Sequence, residues 1–228
     1  MIEFSQVFKG IVQQMNREIE ISSISTMGNS TMIFTCNTKW ARAGKTLELQ
    51  DGQVSFNNII EEVSTNNYIK VKGIISFTKA FVNFPFNITG TKLATNLEWT
   101  KASSFAVDKT PIIWLLDNFD ETEYGRESSL ERSVECKIFF LDETDIKNYY
   151  TDDHKVQVIQ PMMALKDEFL SVIAKNRIFK TIDDDKIKYF SRFGTESSQG
   201  FEKNILDANL SGLVLSVTLR KYKENCTC

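Results

Sequence analysis

The clearest candidate for chemistry is a Glu-x-Lys tripeptide, Glu135-Cys136-Lys137, which follows an acidic residue, Asp117. Metal-dependent nucleases often place one acid on a strand and Glu-x-Lys on the next, where the carboxylates bind the metal and the lysine positions the attacking water. The tripeptide is also common by chance, and a strand with a period of two turns Glu135 and Lys137 toward solvent and Cys136 inward. We favour this second interpretation and keep a nuclease that uses Asp117, Glu135 and Lys137 as the alternative.

Gly44-Lys45-Thr46 matches the last residues of a phosphate-binding loop. The full motif needs a glycine five residues before Gly44, and a helix must begin where the loop ends. Position 39 is a lysine, and the residues after Thr46 alternate between apolar and polar as in a strand. The sequence therefore does not predict nucleotide binding.

The remaining metal-binding residue types are scattered. Asp142–Asp145 and Asp183–Asp185 lack the ligand spacing of a calcium loop and are interpreted as solvated turns. The single histidine, His154, excludes a zinc site with two histidines, and its position beside two aspartates indicates a helix-capping or surface role. None of these residues predicts a metal or a catalytic centre.

Four cysteines are spread along the chain, at Cys36, Cys136, Cys226 and Cys228. One interpretation is a zinc site that joins Cys226 and Cys228 to one of the others. The Cys-x-Cys spacing is tighter than the two to four intervening residues typical of structural zinc sites, so we favour free thiols. No secretory signal is recognisable at the N-terminus, which predicts that the thiols are reduced. The sequence predicts no metal and no cofactor.

The elements that would position these residues begin with an amphipathic helix. Apolar residues recur at helical spacing from Phe4 to Ile19. Short alternating runs separated by turn residues then predict a small β-barrel or β-sandwich. Its predicted strands are Thr31–Thr35, Lys45–Leu49, Val54–Ile60, Tyr68–Val71 and Ile74–Phe77.

The second half of the chain predicts two strands, a helix and two further strands. The first two strands, Thr110–Phe119 and Ser133–Leu141, form a plausible antiparallel pair around a polar loop, Asp120–Arg132. A helix at Val156–Lys175 follows, and then strands at Ile187–Phe193 and Leu213–Tyr222. This order is typical of an α+β layer on which the N-terminal helix can pack.

Composition and charge limit the partners. The 228 residues are 42% hydrophobic and 25% charged, values that are typical of a globular protein. The longest apolar runs, such as Ile112–Leu116, fall far short of the roughly 20 residues that span a bilayer. Residues 1–110 carry a net charge of +2 and residues 111–228 a net charge of −5. Tight, general DNA binding is disfavoured because such proteins usually present a strongly basic surface.

Several segments, among them Trp40–Lys45, Leu93–Lys101 and Thr110–Leu116, together resemble a virion structural protein from the head-to-tail (neck or tail-completion) region of crAss-like tailed bacteriophages. Trp40-Ala-Arg42-Ala-Gly44-Lys45 resembles the opening of the β-module in that group. The resemblance extends from Thr38 to the C-terminus. It is carried by Leu93–Lys101, Thr110–Leu116, Phe139–Asp142, Tyr150–His154, Val158–Met162, Arg192–Gly194, Asn209–Leu219 and the Cys-x-Cys ending.

The resemblance implies an α+β fold with three parts. Residues 1–21 would form a helix that packs on the C-terminal domain, residues 22–92 an inserted β-module, and residues 93–228 a tail-terminator-like antiparallel sheet with a packed helix. It implies a non-enzymatic ring of roughly six or twelve copies, which contacts the portal, the adaptor or other neck and tail proteins. Phage DNA would pass through without specific binding. The expected location is the virion, and the host cytoplasm during assembly, with no membrane contact.

Overall fold

A computed structural model describes residues 4–102, 109–116, 120–124, 131–145, 151–176, 179–193, 195–198, 201–204, 206 and 208–221. The fold is mixed α+β and consists mostly of strands. The helices are α1 (Phe4–Gln13), α2 (Lys92–Ala102), α3 (Thr151–His154) and, after a π-helical turn at Lys155–Ile159, α4 (Gln160–Lys175).

The strands of the first half are β1 (Glu18–Ile19), β2 (Ser23–Met27), β3 (Ser30–Phe34), β4 (Thr46–Asp51), β5 (Val54–Ser64), β6 (Tyr68–Lys72), β7 (Lys79–Val82) and β8 (Phe86–Gly90). Those of the second half are β9 (Ile112–Leu116), β10 (Asp120–Tyr124), β11 (Glu131–Glu143), β12 (Phe179–Phe193), β13 (Thr195–Ser198), β14 (Phe201–Asn204) and β15 (Leu210–Lys221).

The chain divides into two compact units. The mixed unit comprises Met1–Met15, Pro85–Asp145 and Lys166–Cys228, and the curled-sheet unit comprises Asn16–Phe84 and Ile146–Leu165. Strand β8, at the end of the segment that predicts a β-module, pairs in parallel with β9 and so belongs to the sheet of the mixed unit.

The curled-sheet unit is built on seven antiparallel strands in the order β1-β7-β4-β5-β6-β3-β2. Its two end strands, β1 and β2, are consecutive in the chain and separated by only three residues. The sheet must therefore curl until its ends approach each other, and a register shift in β5 between Ile60 and Glu62 marks an irregularity that favours the bend. The predicted small β-structure is thus present as a curled, half-barrel sheet.

One predicted strand of this unit is wrong. Ile74–Phe77 has no regular secondary structure, although its residues alternate. Gly73 has a φ of +88°, which turns the chain out of the extended conformation. The backbone N–H of Ile75 then donates to the hydroxyl of Thr31 (3.1 Å).

The mixed unit contains the sheet β12-β15-β11-β9-β8, with β10 paired to β11. β8 and β9 are parallel and connected through α2, whereas the other pairs are antiparallel. The predicted antiparallel pairing of the strands now labelled β9 and β11 is confirmed.

Helices α1 and α4 contribute the core on one face of this sheet. The ring of Phe169 on α4 lies 5.4 Å from that of Phe8 on α1 and 5.7 Å from that of Phe140 on β11. All three side chains are buried, and so are Leu213 and Leu215 of β15. The first helix is shorter than its periodicity predicts, because the chain leaves the helix after Gln13 to form β1.

An aromatic cluster lies on the opposite face of the sheet. Trp114 stacks on Phe139 of the adjacent strand, with ring centroids 4.8 Å apart, and Phe193 packs edge-on against both. Trp99 of α2 belongs to the same core cluster. Helix α2 was not predicted because its buried residues are only Thr95 and Trp99, which leaves no apolar stripe for a periodicity to detect.

Candidate functional site

The Glu-x-Lys tripeptide lies in the middle of the mixed sheet. Its residues alternate as the period-two interpretation predicts: Glu135 and Lys137 are exposed, whereas Cys136 is 3% exposed. Cys136 lies on the face on which α1 and α4 pack, which we call the helix-covered face. Asp117, the remaining member of the alternative nuclease site, lies outside the described residues. No group of three potential metal ligands occurs in the part of the chain that the structure describes.

Strand pairing brings lysines from two strands together on the face of Glu135 and Lys137. Lys137 of β11 lies opposite Ser216 of β15, which in turn lies opposite Lys186 of β12. One row further along, Phe139 pairs with Val214, and Val214 pairs with Lys188. We call the surface formed by Lys137, Lys186 and Lys188 the lysine face.

The lysine face borders the aromatic cluster. Phe190 lies two residues beyond Lys188 on β12, and its ring stacks on that of Phe139 with centroids 6.4 Å apart. The ammonium of Lys188 lies 5.5 Å from the centroid of the Phe190 ring. Both Phe139 and Phe190 are partly exposed. The face therefore presents positive charges beside aromatic rings.

Sequence reasoning did not find this surface. Lys186 and Lys188 do alternate with Ile187 and Tyr189, which is the signal of a half-exposed strand. Their proximity to Lys137 depends on the insertion of β15 between β11 and β12, and β15 comes last in the chain. A pairing of this kind cannot be read from local spacing.

The charged side chains of Asp185 and Lys166 influence the titration of the Cys136 region on the helix-covered face. Burial raises the pKa of the Cys136 thiol to about 12, and the negative charge of Asp185 contributes in the same direction. Burial also raises the pKa of Asp185, against the positive charge of Lys166, which lowers it. Because only the thiolate is nucleophilic, Cys136 is chemically inert near neutral pH.

The two described cysteines should differ sharply in reactivity. Cys36 is exposed and Cys136 is buried, and both are free thiols. We expect N-ethylmaleimide at pH 8 to modify Cys36 at least roughly 100-fold faster than Cys136, since burial and a high pKa both suppress the second reaction. Peptide mass spectrometry follows each residue separately, and in guanidinium chloride the two rates should converge. Similar rates in the folded protein would contradict the placement of Cys136. Cys226 and Cys228 lie outside the described residues, so the zinc interpretation stays untested.

The two acidic segments are not the turns that the sequence predicts. Asp142 and Glu143 belong to strand β11, and Asp142 is fully buried, with one carboxylate oxygen 2.7 Å from the backbone N of Glu143. Asp183–Asp185 lies within β12, where the register shifts between Ile182 and Lys186. Pairing with Ser211 and Leu210 of β15 has overridden the turn preference at Asp142 and Glu143, whereas Asp183–Asp185 form an irregularity within their strand.

Lys45 and Thr46 of the Gly44-Lys45-Thr46 tripeptide lie where a strand begins, as the alternation of the residues after Thr46 predicts. Strand β4 begins at Thr46, directly after Lys45, so no helix begins where this segment ends. The geometry required to bind phosphate with backbone N–H groups of a helix is therefore missing here.

His154 ends α3 and is partly buried rather than fully on the surface. Burial lowers its pKa, and the positive charge of Arg42 lowers it further. The folded state therefore binds a proton less readily than the unfolded state, in which the pKa is near 6.5. The stability that neutral His154 contributes is complete above that value and is lost as the pH falls through it.

Replacement of His154 by asparagine should therefore reduce the pH dependence of unfolding. Between pH 7.5 and 5.5 we expect the wild-type protein to lose up to about 1 kcal/mol more stability than H154N, a small figure because solvent screens a partly exposed side chain. Urea unfolding of both proteins at the two pH values measures the difference. An equal loss in the two proteins would show that the pKa of His154 is the same in the folded and the unfolded state.

Comparison of the chain with protein families, with curated proteins and with solved structures finds no match. The resemblance to phage neck proteins therefore stays a prediction. Among the described residues, no helix is long and apolar enough to cross a membrane.

Proposed function

We propose that this chain is a non-enzymatic structural subunit that assembles with copies of itself into a closed ring at the head-to-tail connection or tail-completion site of a tailed phage. The segments that resemble phage neck proteins support the location. The exposed apolar edge of the mixed sheet supports assembly. Such a ring would contact portal, adaptor or tail proteins and let DNA pass without specific binding.

The observation that carries this proposal is the outer edge of strand β12. Among the described strands of the mixed sheet, β12 pairs only with β15, which makes it an edge strand in the described part of the chain. Ile187 and Tyr189 lie on the helix-covered face, opposite the buried Leu215 and Leu213, yet they are 37% and 50% exposed. The apolar stripe therefore continues to an uncovered edge, where a neighbouring copy can bury it.

An interface of this kind suits a ring. If the edge of β12 binds a different patch on the next copy, the contact is heterologous, and repeated contacts close into a ring when the rotation allows it. Acidic side chains that line the channel would not hold the phosphates of the passing DNA.

The experiment that tests the location is electron microscopy of purified particles of the phage that encodes the chain, combined with peptide mass spectrometry of the same particles. The proposal expects a closed ring at the portal vertex, with roughly six or twelve copies. Absence of the chain from mature particles would overturn it and would favour an assembly chaperone.

Charges introduced at the β12 edge should block assembly without unfolding the subunit. We expect the double variant I187K/Y189K to be incorporated into particles at least roughly tenfold less than the wild type, because each substitution would place a charge in the apolar contact that a neighbouring copy must bury. The matched control is V54K/I74K, which introduces two lysines at exposed apolar positions (65% and 67%) in the curled-sheet unit. Equal incorporation of I187K/Y189K and wild type would show that this edge is not the interface.

The nuclease alternative keeps one supporting observation, since Glu135 and Lys137 lie on the same exposed face. It requires cleavage of DNA in the presence of Mg²⁺ or Mn²⁺, with loss of cleavage in E135A/K137A and retention of the fold by circular dichroism. The absence of any divalent-metal-dependent cleavage by the wild-type protein would exclude this alternative.

A further inference from the structure

The lysine face concentrates positive charge that the overall composition conceals. The chain has a net charge of −3, but strand pairing places Lys137 of β11 and Lys186 and Lys188 of β12 on one face, on either side of β15. Neighbouring strands are about 4.8 Å apart and alternate residues on a strand are about 7 Å apart, so the Cα atoms of the three lysines lie roughly 7–12 Å from one another and form one patch. No ion pair joins these lysines to another described residue, and Glu135 is the acidic side chain that strand β11 places beside them.

We propose that the lysine face binds single-stranded nucleic acid, with phosphates at the three lysines and a base stacked at Phe190. Phosphates complement the charge of the patch. The ring of Phe190 is partly exposed, and the ammonium of Lys188 lies over it. When Lys188 turns to a phosphate, a base can stack on the ring in its place. This inference goes beyond the ring and holds whether or not the chain assembles into one.

The same geometry distinguishes this partner from two others. A duplex keeps its bases inside the helix, where they cannot stack on Phe190, and the strands that carry the lysines and Phe190 are part of a sheet, which does not fit into the major groove. An acidic protein segment pairs with the lysines but leaves the aromatic rings unused. Single-stranded nucleic acid is the partner that uses both the charges and the rings.

Fluorescence anisotropy with labelled dT20 and the full chain tests the proposal. We expect a Kd of roughly 10–100 µM at 50 mM salt, as is typical of nonspecific binding. Three phosphate contacts predict a slope of log affinity against log salt near −2, so the affinity should fall roughly 20-fold between 50 and 200 mM salt. An unlabelled 20-base-pair duplex should compete less well than unlabelled dT20.

Variants separate the contributions of charge and stacking. K137Q/K186Q/K188Q should bind dT20 at least roughly tenfold more weakly than wild type and with a flatter salt dependence. The control, K9Q/K101Q/K175Q, removes the same charge from exposed lysines on the helices of the same unit and should change affinity less than about twofold. F190L keeps an apolar side chain but removes the ring, and should weaken binding at least roughly fivefold. Circular dichroism confirms the fold of each variant.

Several results would overturn the proposal. They are the absence of dT20 binding at 50 mM salt, equal weakening by the control triple variant, unchanged binding by F190L, and stronger competition by the duplex. A change in the oligomeric state of K137Q/K186Q/K188Q by light scattering, with unchanged dT20 binding, would instead assign the lysine face to a protein interface.

Discussion

Replacement of Gly212 by alanine is expected to lower the free energy of unfolding by more than about 3 kcal/mol, a large share of the roughly 5–15 kcal/mol that stabilises a typical domain. Gly212 lies within β15, between Leu141 of β11 and Phe190 of β12, and its φ is +152°. A Cβ atom at this position would overlap the carbonyl oxygen of Phe140 and lie 3.0 Å from the Cα of Leu141. Both neighbours are backbone atoms of a strand held on two sides, so neither can move cheaply.

Urea unfolding followed by circular dichroism measures this effect, and a second glycine provides the control. Gly10 lies in α1, and a Cβ there would meet no atom within 4 Å. G10A should therefore gain about 0.5–1 kcal/mol, because alanine favours the helix more than glycine does. The expected signs are opposite, so a G212A protein within about 1 kcal/mol of wild type would contradict the close approach of β15 and β11.

The same strands show how far the sequence predicts the fold. The segments now seen as β9, β11 and β15 are predicted because dense apolar runs leave few alternatives to a buried strand. Strand β10 lies in a polar segment that predicts a loop, and its strand conformation depends on pairing with β11. Local preference decides an element only where burial and pairing agree with it.

The candidate site also combines a feature that a local pattern predicts with a feature that depends on strand pairing. The outward orientation of Glu135 and Lys137 follows from the period of one strand, so it could be predicted. The lysine face needs the register of three strands that are not consecutive in the chain, and no local pattern encodes that register. Net charge is misleading for the same reason, because it averages over surfaces that the fold separates.

Both proposed surfaces belong to the end of the mixed sheet that contains β12. Ile187 and Tyr189 extend the helix-covered face to the edge, while Lys186 and Lys188 extend the opposite face. Alternation along one strand would thus direct the proposed assembly contact to one side of the sheet and the proposed nucleic-acid contact to the other. Substitutions at Ile187 and Tyr189 should therefore affect assembly, whereas substitutions at Lys186 and Lys188 should affect nucleic-acid binding.

Phe169 holds α1 and α4 on this sheet through its aromatic contacts, and it is the second residue at which a substitution is expected to have a large effect. F169A should lower the free energy of unfolding by about 3–5 kcal/mol, because the fully buried ring leaves a cavity between Phe8 of α1 and Phe140 of β11. L93A, at a leucine of α2 that is 71% exposed, removes an apolar side chain without opening a cavity and should stay within about 0.5 kcal/mol of wild type. Urea unfolding of the three proteins decides the outcome. A similar small loss in both variants would mean that α1 and α4 do not meet on the sheet through Phe169, and the helix-covered face from which the β12 edge extends would need to be redefined.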